Sequence, residues 1–108
     1  MAAKYNYSLI RGDTNVLSVR VKTGNPFTAG DAVQLMVRES YDSEAVISKS
    51  VTEFDGNGKA FFVFTNEDTQ SLTPGDYVYD IQVVRASGNV TTLIEKSRFR
   101  IREDVTYG

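Results

Sequence analysis

The chain has 108 residues, 41% of them apolar, with 12 basic and 14 acidic side chains and neither cysteine nor histidine. That length supports one core and one domain, residues 1–108. The composition excludes disulfides, thiolate and imidazole metal sites, cysteine nucleophiles and any triad built on histidine, and a net charge of −2 with a pI near 5.0 argues against a general binder of phosphate backbones.

No stretch carries a sustained helical period. Apolar and polar residues alternate instead, in short runs bounded by Gly, Asn, Asp and Pro. The start, "MAAKYNYS", has no apolar run, so no signal peptide is expected, and the sequons at Asn6 and Asn89 are read as chance. No segment approaches the roughly 18 apolar residues of a membrane span. The first run, residues 4–10, places Tyr5, Tyr7 and Leu9 on one side. It leads into Arg11-Gly12-Asp13, the triplet that adhesion ligands present to integrins. Between two alternating runs, Gly-Asp is ordinary turn chemistry, so the triplet is expected to be the first hairpin connection.

The second run, 15–22, turns Leu17, Val19 and Val21 one way, and "TGNPFTAGD" follows as a loop. The third, 32–40, points Val33, Leu35 and Val37 inward and Gln34, Met36 and Arg38 outward. The fourth, 45–54, does not declare its inward face. "FDGNGKAF" is the strongest hairpin signal, because Asn57-Gly58 tolerates the positive φ of a tight turn. The fifth and sixth runs are 59–65 and 76–86, and "ASGN" turns the chain into the seventh, 90–102. Between the fifth and sixth, "TNEDTQSLTPGDY" predicts a short helical turn over 67–72. Thr65 or Asn66 would cap it, Glu67 and Asp68 complement its dipole, and Pro74-Gly75 stops it.

"LTPGDYVY" resembles a tyrosine corner. Tyr77 would bond back to the crossing loop, and Tyr79 would stand where antibody domains carry their second cysteine. About seven strands with such a corner imply an all-β, immunoglobulin-like Greek-key sandwich with one short helical turn.

Two features bear on function. The fifth run reads Ala60-Phe61-Phe62-Val63-Phe64; with Phe62 and Phe64 inward, Phe61 and Val63 face outward, and Val78 and Val84 pose the same problem in the sixth. Either loops or the N-terminal segment cover them, or they form a protein interface. The last run carries Lys96, Arg98, Arg100 and Arg102 at two-residue spacing, which suits an acidic partner or a solvated face paired with carboxylates of a neighbouring strand. Pairing from "ASGN" would leave Phe99 outward, so a β-bulge is expected near 95–97.

Catalytic patterns are missing. "DGNGK" lacks Walker spacing, and Asp55-Gly56-Asn57 lacks the acids of a calcium loop. Glu67 and Asp68 read as helix-terminus acids rather than glycosidase carboxylates. Tyr5, Tyr7, Tyr41, Tyr77, Tyr79 and Tyr107 leave sugar stacking open as an alternative. No nucleophile stands beside a base, so the chain is read as a non-enzyme.

The segments "YSLIRGDTNVLSVRV", "VQLMVRES", "GNGKAFFVFTNEDTQSLTPGDYVYDIQVV", "GNVTTLIEKSRFRI" and "REDVT" occur in that order across nearly the whole chain. This succession resembles the small β-sandwich domain at the N-terminus of bacteriophage baseplate upper proteins and related tail proteins. There a "GDT" turn joins the first strands, a Tyr-x-Tyr-Asp-Ile stretch forms the corner and "DVT" closes the domain. Two departures stand out: a shorter "TGNPFTAGD" loop, and an end at Gly108 where members often continue into coiled or receptor-binding parts. The resemblance implies an anchoring module, a virion structural protein of tail, baseplate or neck made in the host cytoplasm. Its partners would be other virion proteins, with several copies in a symmetric assembly. No cofactor, metal, nucleic acid, membrane or small-molecule ligand is expected. Phe61, Val63, Val78, Lys96, Arg98, Arg100 and Arg102 are the candidate contacts. The alternatives are a capsid decoration or fibre-anchoring protein, and a carbohydrate-binding module.

Overall fold

The computed structural model describes residues 4–21, 26–40, 42–55 and 58–103. In chain order it contains β1 (Tyr7–Ile10), β2 (Asn15–Val19), β3 (Ala32–Arg38), β4 (Ala45–Val51), β5 (Ala60–Phe64), α1 (Asn66–Thr69), β6 (Gly75–Val84) and β7 (Val90–Arg102). Five strands form one sheet in the order β1-β7-β6-β3-β4, and β2 pairs with β5 in a second. All neighbours are antiparallel except β1, which runs parallel to β7. Strands that follow one another in sequence switch sheets at β1–β2, β2–β3, β4–β5 and β5–β6, which is the Greek-key wiring of an immunoglobulin-like sandwich.

Period-two alternation sets the core. Val33, Leu35 and Val37 on β3, Tyr77, Tyr79, Ile81 and Val83 on β6, and Phe99 and Ile101 on β7 are buried against Leu17, Phe62 and Phe64 from the second sheet. Each such side chain contributes roughly 1.5–3 kcal/mol by leaving water. At the centre, Phe99 meets Tyr79, Phe64 and Tyr7 at centroid separations of 5.6, 5.4 and 5.6 Å. The inner position that a disulfide would fill is taken by Tyr79, whose hydroxyl donates to the Tyr5 carbonyl at 2.5 Å. Burial raises the Tyr79 hydroxyl's pKa well above the usual phenol value, with Tyr5 and Tyr7 adding to the rise. Tyr77 donates to the Thr73 carbonyl at 2.7 Å, which closes the expected tyrosine corner.

Two of the four sheet-switching connections correct a sequence expectation. Arg11-Gly12-Asp13 is a tight turn, with the Asp13 N–H donating to the Ile10 carbonyl at 3.1 Å and Gly12 at φ +87°. It does not close a hairpin, because β1 pairs with β7 and β2 with β5. Likewise the Asp55 N–H donates to the Lys59 carbonyl at 3.1 Å around Gly58, φ +74°, yet β4 and β5 lie in different sheets. Turn chemistry reports a local reversal; which strand each arm then joins is decided by burial of its apolar face. Gly56 and Asn57 lie outside the described residues. "ASGN" does close a hairpin: the Arg85 N–H donates to the Asn89 carbonyl and the Gly88 N–H to the Arg85 carbonyl, both at 2.8 Å.

The bulge expected in the last strand is present. Tyr79 pairs with Ser97 and Ile81 with Ile94, so Glu95 and Lys96 together oppose Asp80. A second irregularity leaves Leu93 unopposed between Ile94 and Thr92. The bulge also explains why β1 starts at Tyr7 rather than at residue 4. Opposite the irregular backbone, the Tyr5 N–H donates to Ser97 Oγ at 3.1 Å, and Asn6 Oδ1 accepts the Arg98 N–H at 3.0 Å. Side-chain bonds thus replace a regular ladder there. The fourth strand turns Ile47, Lys49 and Val51 inward, in register with Val37, Leu35 and Val33. The inward lysine is what hid its parity. Lys49 Nζ reaches Asp68 at 2.7 Å, so the edge of one sheet is tied to α1 at the end of β5. The helical turn begins one residue earlier than expected and ends at Thr69.

Candidate docking faces

The residues singled out from the sequence do not form one surface. Phe61 and Val63 lie on the outer face of the β2–β5 sheet, whereas Val78, Arg98, Arg100 and Arg102 lie on the outer face of the five-stranded sheet. A sandwich puts these faces on opposite sides of its core. The candidate contacts therefore divide between two faces.

On the first face, Val16, Phe61 and Val63 are 55%, 41% and 46% exposed. Val16 stands opposite Val63, and Ser18 opposite Phe61. Neither β2 (Asn-Val-Leu-Ser-Val) nor β5 (Ala-Phe-Phe-Val-Phe) contains a charged residue. Val16 escaped the sequence reading because an isolated outward valine in a strand carries no signal until its cross-strand neighbour is known.

The second face is charged. Asp76 sits in register with Arg100, two residues along β6 from Val78, which pairs with Arg98. Arg100 Nε and Nη2 donate to the two oxygens of Asp76 at 2.7 and 3.4 Å, and Arg98 Nε lies 3.7 Å from Asp76 Oδ2. Arg100's hydrogen bond, with the charges of Arg100 and Arg98 behind it, holds the Asp76 carboxyl below its ordinary pKa. Val78 is half-buried, flanked in the register by Arg38 and Arg98, whose aliphatic stems cover apolar surface while their heads stay wet. Lys96 falls in the bulge and is exposed.

The adhesion-like triplet is built into the scaffold. The Gly12 N–H donates to Thr69 Oγ1 at 2.9 Å, the Gly12 carbonyl accepts from Asn66 Nδ2 at 3.1 Å, and the Arg11 N–H donates to the Arg102 carbonyl at 2.9 Å. Arg11 and Gly12 are both half-buried. The adjacent carboxylates are likewise structural. Burial pushes the Asp68 carboxyl's pKa up, but the bonds from Lys49 and the Thr65 N–H outweigh it and leave it lowered. Of the tyrosines, Tyr77 and Tyr79 are buried, Tyr7 is half-buried and Tyr5 is exposed. Tyr41 and Tyr107 lie outside the described residues.

One cluster was missed. Asp31, 2% exposed, accepts from the Thr28 N–H at 2.9 Å, the Ala86 N–H at 3.0 Å and Arg85 Nη1 at 2.8 Å. The Thr28 hydrogen bond leads the causes that draw its carboxyl down to about 2. Phe27 stacks on Phe54 at 5.1 Å beside the same arginine. The signal was a Thr-x-x-Asp pattern, "TAGD", equivalent to the "TNED" box that starts α1. Among the described residues, no group of three or more acidic side chains converges as a metal site would require.

No family model and no curated protein matches the chain. Among solved structures, the solution structure of the first Ig-like domain of human CD48 antigen is similar, at 14% identity and a TM-score of 0.45, over 96% of this chain and 86% of that one.

Proposed function

We propose that this chain is a non-enzymatic structural protein of a bacteriophage virion. In this reading it joins the tail, baseplate or neck in several copies and bridges two neighbours, one on each outer face. The observation that carries the docking reading is the uncharged β2–β5 pair with Val16, Phe61 and Val63 turned to solvent. The virion setting rests on the order of motifs from "RGDT" to "YDIQVV". The test is to supply tagged protein to cells producing the phage that carries this sequence, purify intact particles and measure its stoichiometry. The reading expects a fixed copy number per particle. Phe61→Ser should lower incorporation by about tenfold, corresponding to roughly 1.4 kcal/mol at the contact. Absence from particles, or incorporation untouched by Phe61→Ser, would sink it.

A further inference from the structure

Arg98, Arg100 and Arg102 project from β7 on one face at a pitch of about 6.6–6.8 Å. With Asn6 and Ser8 of the neighbouring β1 segment they line a shallow groove. Guanidinium groups only donate hydrogen bonds. Among the described residues, the one carboxylate paired with this stripe is Asp76, engaged by Arg100 and Arg98, and Arg102 has no carboxylate partner. One carboxylate against three guanidiniums leaves the groove cationic in a chain whose net charge is −2. The groove also runs along a sheet edge. Among the described residues β1 pairs only with β7, which makes it an edge strand with no strand partner on its other side there.

We propose that this edge takes an extended acidic segment of a partner protein. The segment lies alongside β1 as an added strand, and its carboxylates, at every second residue, face Arg98, Arg100 and Arg102. The pitch matches because both sets of side chains would stand on one face of the same sheet, with Asn6 and Ser8 of the β1 segment between them for the arginines to reach across. Arginine is suited to the task, since its planar fork grips carboxylates bidentately. Ile10, exposed and in register with Arg102, offers an apolar contact at one end. A single-stranded nucleic acid also carries evenly spaced anions, but the acidic balance of the whole chain disfavours it. The inference rests on the assembly reading and names the chemistry of the partner on this face.

The test is an NMR titration of the full chain with three probes: a synthetic peptide alternating Glu and Thr, one alternating Lys and Thr, and oligothymidylate. The Glu–Thr peptide is expected to shift the amides of β1 and of Arg98 to Arg102, and to bind more weakly as salt rises. Its affinity should fall at least about tenfold in Arg98→Glu/Arg102→Glu. It should fall likewise in Ser8→Glu, which adds a carboxylate to the groove and leaves the arginines in place. Tighter binding by oligothymidylate, equal binding by the Lys–Thr peptide, or shifts confined to other strands would overturn the proposal. If the peptide leaves these amides unmoved while the chain still enters particles, this inference fails and the assembly reading stands. If the peptide binds and the chain never enters particles, the reverse holds.

Discussion

The two outer faces of the sandwich solve one problem in opposite ways. At the centre of the five-stranded sheet, Val78 lies between Arg38 and Arg98, and Asp76 partly neutralises the arginines, while Ile10 and Val46 on its edge strands stay exposed. Among the described residues the two-stranded sheet has no such neighbours: both of its strands are edges, and Val16, Phe61 and Val63 stand exposed on an uncharged face. A wide sheet can tolerate outward valines because long charged side chains on adjacent strands lie over them; a narrow sheet with uncharged strands cannot. The same residue type therefore means scaffold on one face and docking surface on the other.

The comparison presupposes one core that holds both faces, so the hardest way to break it is to open that core. Phe62 and Phe61 are adjacent on β5, one fully buried and the other exposed. Phe62→Ala should cost about 3–5 kcal/mol in urea unfolding. Phe61→Ser should stay within about 0.5 kcal/mol while lowering particle entry by about tenfold. Equal destabilisation by the two would mean that Phe61 is a core residue and the apolar face is not free.

Asp31 gives the next largest effect, at the end of the sandwich where the 26–31 loop meets the β6–β7 turn. Its folded carboxyl titrates near 2, below the ordinary 3.8. A lowered folded value stabilises the native state above the ordinary value and withdraws that support as pH falls toward the folded one. Asp31→Asn should therefore lower the urea midpoint at pH 7, and the gap from the parent chain should narrow between pH 4 and pH 2. A gap independent of pH would contradict the charge-based account. Smaller again, Tyr77→Phe removes the bond to the Thr73 carbonyl and should cost about 1 kcal/mol, because the crossing from α1 to β6 loses its anchor. The smallest effect belongs to the charged face. Arg100→Gln breaks an exposed ion pair and should leave the thermal midpoint unchanged, yet weaken binding of acidic peptide.

Much of the fold could be read from the residues because alternation is strict where one face is buried. Val33-x-Leu35-x-Val37 and Tyr77-x-Tyr79-x-Ile81 state their parity outright, and Phe99 with Ile101 demanded the bulge that Glu95 and Lys96 provide. What stayed hidden were long-range assignments. "RGD" and "DGNG" announce turns, but a turn is local, and sheet membership depends on partners many residues away. Lys49 masked the inward face of β4 because its stem packs while its ammonium reaches Asp68. Where the candidate contacts lie relative to one another was also hidden, because sequence spacing says which face of its own sheet a side chain takes, and nothing about which sheet that is.

The most direct measurement is hydrogen–deuterium exchange of the chain free and within purified particles. The account predicts added protection on incorporation at both β5 and β1–β7, on opposite sides of the sandwich. Protection on one side alone, or none on either, would contradict it.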